Sequence, residues 1–381
     1  MRGGSVSAAG RAVLGVAAVV MLAAAGTGAP ASAASAGGAG HKCGCAPRTA
    51  YVVSLEASTV TPVSTRTNTV GPPIPVGVAP GAIAITPDGG TAYVVNEGSG
   101  TVTPVSTRTN TAGPPIPVGD TPFAIAITPD GGTAYVVNEG SGTVTPVSTR
   151  TNTAGPPIPV GVAPWAIAIT PNGRTAYVAN SSSGTVTPIC TCSDKAGPPI
   201  PVGDVPFAIA ITPDGGTAYV MNGESGTVTP ICTCSDKAGP PIPVGELESA
   251  IAITPDGGTA YVVNEGSGTV TPICTRTNKA GLPIPVGVAP GGIAITPNGR
   301  TAYVANFGSD TVTPISTRTN KAGPPIPVGA DPQGIAITPD GRTAYVGNEG
   351  SDTVTPISTR TGTARPPIPV SGSPWAIAIT P

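Results

Sequence analysis

The sequence predicts an all-β propeller of four-stranded blades, and three observations carry that prediction. All eight tyrosines recur 42 residues apart, from Tyr51 to Tyr345, and a strict period in this range marks a repeat architecture. Each unit holds four short runs of β-branched and small residues separated by turn signals. No stretch carries a 3.6-residue apolar period, and prolines interrupt every candidate helix.

In one unit, residues 82–86 (AIAIT) form the first strand and 91–96 (TAYVVN) the second. Between them Pro87-Asp88-Gly89-Gly90 supplies a tight hairpin turn, which makes the repeated aspartates turn residues. Residues 101–106 (TVTPVS) form the third strand and 115–118 (PIPV) the fourth, outermost one. Prolines at an outer edge deny neighbours a strand to pair with. Pro104 removes a ladder donor from a strand flanked on both sides, which predicts loose pairing in the outer half of each blade. Ala46 to Pro381 spans 336 positions, or eight units of 42. The chain enters at a second strand (Ala50 to Val53) and stops after a first strand (Ala376 to Thr380). The C-terminal strand is therefore expected to complete the N-terminal blade and close an eight-bladed ring. A seven-bladed ring with one unit left outside is the alternative.

Composition fits this reading. Glycine (53) and proline (48) are abundant among 381 residues; with a fixed period they mark recurring turns instead of disorder. The apolar residues are mostly Val, Ile and Ala, with three Phe and two Trp. A net charge of −2 with 10% charged residues argues against duplex nucleic acid as a partner. Residues 1–36 read as a secretory signal peptide: Arg2 and Arg11 precede an apolar run at 12–25, followed by ASA at 31–33 and 34–36. That run is shorter than the roughly 20 residues a bilayer span needs. Residues 37–45 form a flexible tail and 46–381 the propeller. The mature protein is expected to be exported, monomeric and without a membrane span.

The pattern TPDGGTAYVVNEGSGTVTPVSTRTN…PIPVG resembles the YVTN-type β-propeller repeat of surface-layer and other exported microbial proteins, across essentially all of 46–381. It departs at Pro104 and Pro146, where that family usually has an aliphatic residue, and at Ser106, Ser148 and Cys190, where an aspartate usually ends the strand. The resemblance implies a propeller in an extracytoplasmic setting. It includes adhesion and scaffold proteins, with lactonase and lyase enzymes as more distant relatives.

Sorting charges by loop separates two faces. The loops joining second to third strands, and fourth to next first strands, share one face. They carry Glu56, Glu97, Glu139, Glu224, Glu265, Asp310, Glu349 and Asp352, together with Asp120, Asp204, Glu246, Glu248 and Asp331, and no Lys or Arg. The opposite face collects the arginines and lysines from Arg66 to Arg365, mixed with fewer acids. Such opposed fields steer partners over about 8–10 Å at physiological salt, although duplicated solvent-facing loops also simply aid solubility. Phe123, Trp165, Phe207 and Trp375 precede innermost strands at the channel mouth on the acidic face, where other copies hold Gly81, Ser249, Gly291 and Gln333. Exposed rings among acids suit a glycan, a basic peptide or a cationic polymer; alternatively the rings plug the mouth. The expected ligand site is therefore Phe123, Trp165, Phe207 and Trp375 with Asp120, Asp204, Glu246, Glu248 and Asp331.

Catalytic parts are sparse. The single histidine, His41, lies outside the ring, so no triad or His-ligated metal set assembles there. Glu246 and Glu248 are a carboxylate pair suited either to acid–base work or to plain solvation. Seven cysteines include the C-x-C pairs 190/192 and 232/234, whose spacing suits a soft metal. The segment ICTCSDK also differs from ISTRTNK by changes that fit copied drift. Cysteines on neighbouring blades are too far apart for a disulfide. Cys43 and Cys45 in the tail form a local disulfide or a free pair. No cofactor or metal is expected. The sequence thus favours a secreted, non-enzymatic binding or scaffold protein, with a lactonase- or lyase-type enzyme using channel-mouth carboxylates as the alternative.

Overall fold

The computed structural model describes residues 48–245 and 247–381, so the expected signal peptide, tail and Cys43/Cys45 pair lie outside the described residues. Eight antiparallel sheets form a ring. Blade 2 shows the common plan: an inner strand Pro80–Ile85, a second strand Thr91–Asn96 and a third strand Thr101–Ser106. Blades 3 to 8 repeat it, with inner strands opening at Pro122, Pro164, Pro206, Glu248, Pro290 and Pro332. Blade 1 is built from Thr49–Ser54, Thr59–Ser64 and Ile74–Pro75, and the C-terminal strand Pro374–Ile379 supplies its inner strand. Val52 pairs with Ile377 and Val53 with Ala376. Closure by the two chain ends is as the sequence predicts.

The fourth strand is not the single run expected at 115–118. It consists of two dipeptide strands, Thr111–Ala112 and Ile116–Pro117, which pair with opposite ends of the third strand. The Gly113-Pro114-Pro115 break between them lies beside Pro104. The Pro104 carbonyl points outward and accepts the Gly113 N–H at 2.7 Å. In a strand, N–H and C=O of one residue face the same side. The donor that Pro104 lacks therefore faces the gap, and no inner ladder bond is lost. The proline pairing problem read from the sequence resolves in this way, and the outer strand alone is interrupted.

The period-42 tyrosines are buried and act as rivets between blades. Each hydroxyl donates to a turn of the following blade: Tyr93 to Asn152 Oδ1 at 2.6 Å, Tyr135 to Asp194 Oδ1 at 2.6 Å, and Tyr177 to Asp236 Oδ1 at 2.6 Å. Tyr345 reaches across the closure to Asn68 Oδ1 at 2.7 Å. Tyr303 meets only the Thr359 carbonyl, because Gly362 stands where other blades carry Asn or Asp. The apolar core lies between blades. Tyr93, Val95 and Val102 of blade 2, for example, pack with Ile125, Val136 and Val147 of blade 3.

A second motif ties the two loops of the acidic face together. Asn96 is fully buried; its amide donates to Thr101 Oγ1 and Thr103 Oγ1 at 3.1 and 2.9 Å, and its Oδ1 accepts the Gly77 N–H at 3.1 Å. Only glycine fits opposite it: a Cβ on Gly119 would stand 2.5 Å from Ser141 Oγ and 2.7 Å from Asn138 Cγ. Blade 1 carries serine at both positions. Ser54 Oγ donates to the Ser371 carbonyl at 2.7 Å, and the shorter side chain leaves room for the Ser371 Cβ. Gly119→Ala is therefore expected to cost about 2–3 kcal/mol through overpacking. Combining it with Asn138→Ser and Ser141→Ala, the residues blade 1 carries at Ser54 and Ala57, should recover a large part of that loss. Equal denaturant midpoints for single and triple variants would contradict this coupling.

Candidate binding face

The acidic face is assembled from the predicted loops. In every blade, the residue before the inner strand adopts a left-handed backbone, from φ 46° at Ala289 to φ 58° at Ser373. Its carbonyl accepts an N–H from the loop between second and third strands, as in Glu97 to Ala79 at 3.0 Å. Such strained residues persist where surrounding bonds fix them, and here they set the mouth of the channel. Four of these loops among the described residues contain a three-residue 3-10 turn, a helical element the sequence did not suggest.

The aromatic residues do not precede the inner strands, as expected, but sit inside them as bulge residues. The ladder shifts register between Pro122 and Ala124, leaving Phe123 as the extra residue, and the same shift occurs at Trp165 and Phe207. Bulges re-aim side chains, and these repeat at one level of the ring. Phe123 and Trp165 stack with centroids 5.0 Å apart and planes inclined by 25°. Trp165 also packs against the cluster containing Phe207. The three rings on consecutive blades thus form one contiguous arc. Phe207 is not exposed: it is buried against blade 6 and anchors the arc. Trp375 leans on the apolar cluster between blades 1 and 2. Between Trp375 and Phe123 lies Gly81, where nothing stands within 4 Å of a Cβ position, so a recess opens between two aromatic residues.

The far side of the ring is packed differently. A Cβ on Gly292 would stand 2.5 Å from the Gln333 carbonyl oxygen, and one on Gly334 2.6 Å from that of Trp375. Blades 7, 8 and 1 therefore approach more closely than alanine would permit, and the mouth is asymmetric. The sequence signal was the glycine that replaces alanine in PGGIAI and PQGIAI.

The acids divide into several roles. Asp120 and Asp204 are exposed, and Asp331 is half-buried. Asp310 accepts the Asp331 N–H at 2.9 Å and Asp352 the Ser373 N–H at 2.7 Å, so both also brace loops. Glu246 lies outside the described residues. Glu248 departs from expectation: it is not a solvent-facing loop residue but the first residue of an inner strand, only 5% exposed. It occupies the register where the other seven blades have proline. Both of its carboxylate oxygens are buried without a hydrogen-bond partner. Asn264, its ladder partner, has an unpartnered Oδ1, although the equivalent atom in five blades accepts a glycine N–H.

Burial pushes the Glu248 carboxyl from 4.5 up to about 7. Half-buried Glu265, whose N–H donates to Leu247 at 2.8 Å, is also raised by burial. For an acid raised on folding, the folded state keeps a proton that the unfolded chain releases. The stabilisation from Glu248 is therefore complete below about pH 4.5 and lost as pH rises toward 7. About 2 kcal/mol should disappear across that window. Glu248→Gln should flatten this part of the profile, measured as urea midpoint against pH; an unchanged slope would refute the assignment.

Among the described residues no group of three or more His, Cys, Asp or Glu is arranged to hold a metal ion. Cys232 and Cys234 form a disulfide within one turn on the opposite face, which the sequence reading did not anticipate.

The comparisons with known proteins support the architecture. A family profile described as "Lactonase, 7-bladed beta-propeller" matches residues 249–366, under a third of the chain. No curated protein matches. Among solved structures, a chain of Kuenenia stuttgartiensis hydrazine synthase is 27% identical, with a TM-score of 0.62 over 74% of this chain and 95% of that one. The dihydro-heme d1 dehydrogenase NirN superposes with a TM-score of 0.76 at 17% identity, covering 87% of this chain and 74% of its own. Citrobacter koseri AztD gives 0.68 at 11% identity, covering 87% and 97%. The chain is a β-propeller repeat protein with eight blades, one more than the matched family's description.

Proposed function

We propose that this propeller is an exported binding or scaffold protein of the YVTN type. Its acidic, aromatic-bearing face takes a cell-surface or extracellular partner: a glycan, a basic peptide or a cationic polymer. One observation carries the reading. The stacked Phe123–Trp165 pair, anchored by Phe207, borders an open recess on a face whose loops hold acids and no Lys or Arg. Rings supply stacking and cation–π contacts, while acids select cationic groups and disfavour anions. The test is retention of purified protein on its own cell envelope at low and high salt. A basic partner is released by salt, a neutral glycan persists, and no retention at either salt refutes the proposal.

The partial lactonase match favours a second reading, a lactonase- or lyase-type enzyme in which buried Glu248 serves as the acid–base group. Lactone hydrolysis by wild type, abolished in Glu248→Gln, would establish it. No hydrolysis, and no thermal shift on adding calcium or magnesium, would leave the binding role.

A further inference from the structure

We propose that the two C-x-C turns of blades 4 and 5, on the face opposite the aromatic arc, are dithiol–disulfide exchange sites whose redox partners are thiols, small or protein-borne. Five blades end the third strand with Ser-Thr-Arg, as at Ser106–Arg108. Blades 4 and 5 read Cys190-Thr191-Cys192 and Cys232-Thr233-Cys234 at the same place. Cys232 and Cys234 are bonded, with Cα atoms 5.5 Å apart. Cys190 and Cys192 are free thiols hydrogen-bonded to each other. The same C-x-C turn thus recurs on two adjacent blades, each time with its sulfurs within reach of one another.

A bridge closing so short a loop restrains the unfolded chain little, so it contributes little to stability. The turn is fixed without it. The Thr191 N–H donates to the Arg174 carbonyl at 3.0 Å and the Thr191 hydroxyl to the Gly173 carbonyl at 2.5 Å. Thr233 makes the same pair of bonds to Gly216 and Gly215 at 3.2 and 2.5 Å. Beyond the sulfurs, Asp194 and Asp236 are held by Tyr135 and Tyr177 of the preceding blades. The scaffold therefore holds the two sulfurs together whether bonded or not. The same threonine bonds brace this turn in the blades that carry Ser-Thr-Arg, as at Thr107 and Thr149, so the paired sulfurs sit on a turn that the fold fixes independently of them.

The sulfurs differ in a useful way. Cys192 and Cys234 are exposed, while Cys190 and Cys232 are half-buried. Hydrogen bonds from Cys192 and then Ser193 hold the Cys190 thiol below its usual range, whereas the bond to Cys190 raises Cys192. In exchange, an incoming thiolate takes an accessible sulfur and the more acidic thiol leaves. A thiolate R–S⁻ attacks Sγ of Cys234, the Cys232–Cys234 bond breaks, and Cys232 departs with the electron pair. A second thiolate attacks the R sulfur, releasing R–S–S–R and the Cys234 thiolate. Two thiols are oxidised by two electrons, and their protons end on Cys232 and Cys234. Cys190 and Cys192 run the same steps in reverse on a disulfide.

The test uses the full chain with C43S/C45S, which removes the tail cysteines. Protein is equilibrated across ratios of reduced to oxidised glutathione, quenched in acid, alkylated and mapped by mass. Residues 190/192 and 232/234 should each gain or lose two alkyl groups together, with Cys274 behaving as a single thiol. C232S/C234R installs the residues of the other blades and should remove one two-electron step without moving the thermal transition; adding C190S/C192R should remove both. A Cys232–Cys234 bond that survives excess reduced glutathione, or four cysteines that react singly like Cys274, would overturn the proposal.

Discussion

A chain ending at Ser373 is expected to lose the cooperative unfolding transition and to aggregate. The missing strand covers Tyr51, Val52 and Val53, which are fully buried, and carries Trp375, Ala376, Ile377 and Ile379 into the blade 1 core and its flanks. Burial of those side chains, at about 1.5–3 kcal/mol for each large one, gives on the order of 5–10 kcal/mol. A whole protein is typically stable by about 5–15 kcal/mol, so the loss approaches the total. It also exposes the edge of a second strand, a template for intermolecular pairing. Adding a peptide of residues 372–381 should restore a monodisperse species by strand addition. A truncated chain that keeps its transition and elutes as a monomer would show that closure is not needed.

Alkaline pH is expected to unfold the protein abruptly. Burial raises all eight tyrosines, with Tyr51, Tyr93, Tyr219, Tyr261 and Tyr345 pushed up to about 12. For Tyr135 and Tyr177 the hydrogen bonds to Asp194 and Asp236 add to burial, since each aspartate accepts the phenolic proton. The folded state keeps protons that an unfolded tyrosine gives up near 10. Stability contributed this way is intact below pH 10 and falls as pH rises toward the folded values. A fully differential group loses about 1.4 kcal/mol per pH unit. Eight such groups, even at half that slope, remove about 5 kcal/mol or more per pH unit. Tyrosinate absorbance and loss of structure should rise together between pH 10 and 12. Tyrosinate formation in a chain that stays folded would contradict the rivet role.

These two expectations rest on features that the sequence displayed unequally. The tyrosine period and the offset of the chain ends gave eight blades and their closure, because both depend on spacing alone. What the tyrosines do was hidden. Their partners, such as Asn152 for Tyr93, lie 59 residues away in the next unit, and a period within one repeat carries no sign of bonds between repeats. The outer strand was found only in part: the run 115–118 contains Ile116–Pro117, but Thr111–Ala112, on the far side of the Gly-Pro-Pro break, carries no β-branched run to mark it. Which loops share an end of the blades was legible, because strand alternation settles it. Their burial was not legible. Phe207 and Glu248 are buried by packing from adjacent blades, and only the loss of proline at 248 marked that position as unlike its seven counterparts.

The most direct measurement of the central claim, that the aromatic arc of the acidic face carries recognition, is envelope binding by F123Q/W165Q. Glutamine is the residue this chain already carries at the equivalent position 333. Both rings are partly exposed, and the stack contributes about 0.5–1.5 kcal/mol beyond its buried area, so the ring of blades should persist. Binding should fall at least tenfold, while the thermal transition shifts by only a few degrees. Unchanged binding by a variant that keeps its transition would place recognition elsewhere.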